Sequence, residues 1–205
     1  MNWAPKNIPE ILTATWQHLV LSVSSVLIGL AIALVLGILC ARRQKLYAFV
    51  LTITGIIFVI PSLALFALLI PWLGLGTRPA LVGLSSYCLL ILLRNVVTGL
   101  RGVPAEVLDA ADGMGYSARQ RLVRIELPLA MPLIVSGIRI ALVTVIGIAT
   151  VAAFIDGGGL GTIILTGIDQ EYTEKILVGA VLTALMATFF DVVLSRAEKL
   201  MVRGR

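Results

Sequence analysis

Charge is what this sequence has least of. Only 13% of its 205 residues are charged, about half the share with which a soluble domain covers itself in groups that water solvates. That scarcity excludes an ordinary globular exterior. Cysteine and histidine are nearly absent as well: Cys40, Cys88 and His18 are the only three. No CxxC or Cys/His spacing occurs, which argues against a metal centre or disulfide framework and leaves the thiols as small apolar fillers. No G-x-x-x-x-G-K-S/T phosphate loop is present either, so this chain does not bind ATP in that way itself.

What fills the sequence instead is apolar. Hydrophobic residues make up 59% and the mean hydropathy is +1.05, so the solvent its outside matches is lipid. Crossing roughly 30 Å of hydrocarbon takes about 20 helical residues. The apolar runs predict five spans, near Leu19–Cys40, Tyr47–Leu73, Pro79–Gly99, Pro128–Ile155 and Ile176–Ser195. The expectation is one all-α transmembrane domain over 1–205. Its parts are an outer interfacial segment (1–18), three spans (19–100), a polar loop (101–127), two further spans with an outer glycine-rich loop (128–195, loop 156–174) and a tail (196–205).

The net charge of +5 is placed as a topology signal rather than a nucleic-acid footprint. Thirteen of the 16 Lys and Arg residues fall on one side of these spans, from Arg42, Arg43 and Lys45 to Arg203 and Arg205. Lys6, Arg78 and Lys175 are left on the other. By the positive-inside rule the amino terminus is outside and the carboxyl terminus inside. The first span is read as retained, because Arg42-Arg43 follows the apolar run where a secretory signal carries its charge before it. Trp3 and Trp16 suit the outer interface.

The spans carry devices for packing. Ser25, Gly29, Ala33 and Gly37 recur every four residues, as do Gly137 and Ala141, and Gly179, Thr183 and Ala187. Small-residue stripes of this kind let helices approach closely in lipid. Pro61-Ser62 permits a kink in the second span. Arg139 and Asp191 lie inside apolar runs, where an unpaired charge costs about 2.5–3.5 kcal/mol on insertion scales, so pairing or snorkelling is expected. Gly157-Gly158-Gly159-Leu160-Gly161 opens a stretch that can form a short re-entrant helix.

The longest polar stretch runs 27 residues, Arg101 to Leu127. Pro104 suits a first helical turn, with Glu106 and Asp109 close behind it. A short helix through Ala110 and Ala111 should end at Gly113 and Gly115. A second, basic helix should follow, closed by Pro128. From physical chemistry alone this is equally a connector on the membrane or a helix that receives a push from a soluble partner.

Asp109-Ala110-Ala111, three residues, Gly115, nine residues, Ile125, one residue, then Leu127-Pro128 resembles the EAA loop of ABC importer permeases, with Asp109 in place of Glu. Further segments are similar to permeases of the osmoprotectant type, which carry glycine betaine, choline and carnitine. These are Ile60-Pro61-Ser62-Leu63-Ala64-Leu65, Leu73-Gly74-Leu75-Gly76-Thr77, Arg94 to Leu100, and Gly157 to Gly161. Ile91 departs from a family proline expected in the third span. The glycine-rich turn is shared with methionine-type permeases.

The resemblance implies a type I (MetI-like) importer fold in the bacterial inner membrane and no enzymatic activity in this chain. It implies a coupling loop comprising Glu106, Asp109, Ala110, Ala111, Gly115, Ile125, Leu127 and Pro128. Pro61, Ser62 and the Gly157–Gly161 stretch become pathway or gate candidates. Its implied partners are two ATPase subunits binding ATP and Mg, a second copy or homologous permease, and an extracytoplasmic binding protein. A secondary transporter is the other class; it would favour midplane acidic groups and inverted repeats, neither of which is visible here.

Overall fold

The computed structural model describes residues 3–203. Residues 1 and 2 of the outer segment, and residues 204 and 205 of the tail, lie outside the described residues. All regular structure among the described residues is helical, as it must be where lipid offers no partner for backbone N–H and C=O groups. Among the described residues four helices are long and apolar enough to span a membrane, with a fifth if a pair bent by 100° is counted as one span.

α1 (Ile8–Ala41) is unbroken, so residues 8–18 belong to the same helix as the first span. No residue in that stretch interrupts the ladder, since Pro9 falls within the first turn where its missing N–H has no intrahelical acceptor. Ahead of it, Ala4–Lys6 forms a 3₁₀ turn. The Trp3 and Ala4 N–H groups donate to Glu174 Oε1 at 3.1 and 3.3 Å, fixing this turn to the far end of the chain.

The second span divides into α2 (Gln44–Val59) and α3 (Ser62–Leu73), bent by 100°. Proline pushes the residue before it out of the helical region, and Ile60 is extended at φ −61°, ψ 129°. The Ile57 carbonyl, deprived of an N–H at Pro61, accepts from Ile60 at 3.2 Å. The Ile60 carbonyl accepts the hydroxyl of Tyr87, whose ring also meets Phe58 edge-on at 6.0 Å. The kink is therefore a satisfied corner.

α4 (Thr77–Arg101) runs straight through Ile91; without a proline there nothing interrupts it. α1 lies along α4, which lies along α7 (Leu127–Ala149), which lies along α9 (Thr173–Arg203). α9 carries the helix past Ser195 through most of the expected tail.

The small-residue stripes form the seams. A Cβ on Gly29 would stand 2.7 Å from Cys88 Cβ, and one on Gly37 2.5 Å from Val96 Cγ1. Ser25, Ala33 and Ala141 are fully buried. Cys40 and Cys88 are free and buried within these seams.

Candidate functional site

The polar loop folds into α5 (Ala105–Gly113), a short α6 (Ala118–Arg121) and a π turn, Leu122–Glu126, that runs directly into α7. The Pro104 carbonyl starts α5 by accepting from Val107 and Leu108 at 3.1 and 3.3 Å. Its end is a Schellman motif: Tyr116 N–H donates to Ala111 O at 3.1 Å and Gly115 N–H to Asp112 O at 3.0 Å. Gly115 has φ +78° with nothing within 4 Å of where a Cβ would sit. Its requirement is thus conformational rather than steric. Ser117 then caps α6 through a capping box with Gln120.

Pro128 does not close the basic helix. Residues Ala118–Ile155 form one continuous 38-residue rod. Pro128 sits at the second position of α7, and the π turn immediately before it changes the hydrogen-bond register, so the missing N–H is absorbed without a break.

Within α5, Glu106, Asp109 and Ala110 are exposed, but Ala111 is fully buried against its own chain. The resemblance places both Ala110 and Ala111 in the coupling loop; of the two only Ala110 faces outward. Ile125 and Leu127 are half-buried and Pro128 is exposed. Glu126, which the sequence did not single out, organises the loop. It accepts from Arg42 of α1 and from Arg121 Nε, each at 3.1 Å, and Arg121 also binds Asp112 of α5. Arg101, at the end of α4, donates to the Cys40 and Ala41 carbonyls, each at 3.0 Å, and covers the Tyr47 ring. Arginine planes thus join the ends of α1, α4 and α7 to the loop.

At the opposite end, Gly157–Gly159 leads into α8 (Leu160–Asp169), the short apolar helix. Gly161 meets α7's 3₁₀ extension so closely that a Cβ would fall 2.1 Å from Thr150 O. Leu160 is fully buried. Gln17 Oε1 accepts the Gly159 N–H at 3.2 Å, and His18, fully buried, places Nε2 3.0 Å from Ile146 O. Pro61 and Ser62 lie elsewhere, at the α2–α3 corner.

The family model described as binding-protein-dependent transport system inner membrane component matches residues 33–204. The chain belongs to this family. The permease is 39% identical over 193 residues to the carnitine transport permease protein OpuCB of Listeria monocytogenes, covering 94% of this chain and 88% of that one. It is 40% identical over 190 residues to the choline transport system permease protein OpuBB of Bacillus subtilis, at 93% and 88% coverage. It is 36% identical over 197 residues to the osmoprotectant import permease protein OsmW of Salmonella typhimurium, at 94% and 92%. A permease chain from an inward-facing structure of the MetNI methionine ABC transporter superposes with a TM-score of 0.83. It is 24% identical and covers 93% of this chain and 95% of that one, a likeness that shows the fold.

The permease is accordingly a membrane-spanning subunit of an ABC importer and not an enzyme; ATP is used by a partner ATPase, and a binding protein belongs to such systems. The two charges expected inside the spans lie near one another, Arg139 Nε being 3.7 Å from Asp191 Oδ1, and Arg139 Nη1 is 3.7 Å from Glu198 Oε2. Glu198 was not anticipated, because it lies in the stretch expected to be a tail.

Proposed function

We propose that the permease forms the translocation pathway for an osmoprotectant such as glycine betaine, choline or carnitine. The observation that carries this reading is its similarity, along more than nine-tenths of its length, to permeases named for carnitine and choline transport. It works with a second copy or a homologous permease, two ATPases that bind ATP and Mg, and an extracytoplasmic binding protein.

α5 is the coupling helix, inserting Glu106, Asp109 and Ala110 into a groove of the ATPase. The face carrying Arg42, Arg43 and Arg119 is cytoplasmic, with the amino terminus outside, by charge asymmetry. Pro61-Ser62 and the Gly157–Gly161 loop line or gate the path.

Reconstitution in proteoliposomes with the ATPase and binding protein tests the substrate. ATP-dependent uptake of radiolabelled choline, carnitine or glycine betaine is expected, and uptake of methionine alone would refute it. Cysteines at Ser117 and Thr162 test the topology: only the second should react with an impermeant reagent added outside.

A further inference from the structure

The outer end of the permease holds a cleft of about 430 Å³ between α1, the start of α4 and the glycine loop, within the range of small-molecule sites (roughly 300–1,000 Å³). Trp16 and Val20 line it from α1, Thr77 and Leu81 from α4, and Asp156 and Gly158 from the loop. No lysine or arginine lines it.

Asp156 occupies the left-handed region at φ 59° in a Schellman closure of the Thr150–Ile155 turn. Its N–H donates to Ala153 O at 3.2 Å, and Gly157 N–H donates to Ala152 O at 2.8 Å. Glycine is the residue this backbone favours; aspartate adds a carboxylate the turn does not require. That carboxylate is exposed, and no side chain among the described residues pairs with it. Trp16 presents its indole to the same space and is 65% exposed.

The walls are fixed. Gln17 holds Gly159, and Gly76 N–H donates to Ile155 O at 2.7 Å, tying the α3–α4 turn to the residue before Asp156.

We propose that this cleft receives the quaternary ammonium head of the solute at the outer mouth of the permease. Asp156 supplies the charge, and Trp16 supplies the aromatic face. This rests on the osmoprotectant reading above and assigns it a site. A quaternary ammonium donates no N–H hydrogen bond, so it is recognised by charge, by an aromatic face and by apolar walls around its methyl groups. Asp156, Trp16, and Val20 with Leu81 are those three things.

The test uses the permease–ATPase complex in nanodiscs without the binding protein, measuring equilibrium binding of radiolabelled choline. Tetramethylammonium should compete, and the neutral carbon isostere of choline should not. Asp156→Asn and Trp16→Leu should each weaken binding roughly tenfold, while Asp156→Glu and Trp16→Phe stay within about threefold. Co-purification of the ATPase identifies variants that fail to fold, and the two conservative variants then decide. Absent binding by the wild-type complex, unchanged binding in Asp156→Asn and Trp16→Leu, or equal competition by the isostere would each overturn the proposal. Uptake by the complete importer separates the two readings: if no quaternary ammonium is imported, the substrate assignment fails. If import is intact but the variants bind like wild type, only the cleft fails.

Discussion

Arg42 at the end of α1 and Glu126 in the π turn ahead of α7 meet at 3.1 Å across 84 residues of sequence. From Glu126 the contacts pass to Arg121 and on to Asp112 in α5, so the loop hangs from the first span by alternating charges. The Glu126 side chain is only 10% exposed, against 53% for Asp112. A sheltered carboxylate keeps its pairs when salt screens the surface, and an exposed pair contributes little.

Glu126→Gln should therefore destabilise the permease by about 1.5–3 kcal/mol, the range for hydrogen bonds to charged groups, and reduce uptake with it. Asp112→Ala should cost less than about 1 kcal/mol. Thermal unfolding of the purified complex, run beside uptake, measures both. Equal effects at the two positions would mean that Glu126 is not the anchor.

The two alanines of the loop should separate. Ala110→Arg alters an exposed face and should leave the unfolding midpoint near wild type while the ATPase no longer co-purifies. Ala111→Arg forces a long charged side chain into a fully buried position, so it should lower the midpoint before any question of docking arises. Normal ATPase association in Ala110→Arg would remove α5 from the coupling interface.

Gly115 and Gly161 should respond to alanine for different reasons. At Gly115 only the left-handed backbone resists, which costs about 1–2 kcal/mol, and membrane insertion should be normal. At Gly161 the new methyl meets the Thr150 carbonyl at 2.1 Å, so α8 must move, at about 1–3 kcal/mol or more. Unfolding midpoints should rank Gly115→Ala above Gly161→Ala, with the opposite order refuting the packing account.

Tyr87→Phe keeps the ring against Phe58 but leaves the Ile60 carbonyl unsatisfied at the corner. The expected loss is about 1 kcal/mol, the low end of the penalty for orphaning a polar group, because the Ile60 carbonyl is only partly buried. Spin labels placed on α2 and α3 should report a broader distance distribution in the variant. An unchanged distribution with an unchanged midpoint would show that Pro61 alone sets the bend.

Much was fixed by sequence alone. The positions of the long apolar helices, the outline of the polar loop and the small-residue seams are local properties, since hydropathy sums along a run and a bilayer has a set thickness. Gly29 and Gly37 announced their role by spacing because helical periodicity converts spacing directly into a face.

Continuity was not legible in the same way. Pro128 suits the opening of a helix as well as the end of one, and the deciding π turn leaves no residue signature of its own. Residues 8–18 and the tail likewise read as separate segments because their polarity changes, whereas helix continuity depends on backbone hydrogen bonds that polarity does not interrupt. Tertiary structure alone decided which of Ala110 and Ala111 faces inward, that Glu126 gathers two arginines, and that Gln17 holds Gly159 from 142 residues away. Such contacts are set by how the rods lie against one another, and no local run of residues encodes that.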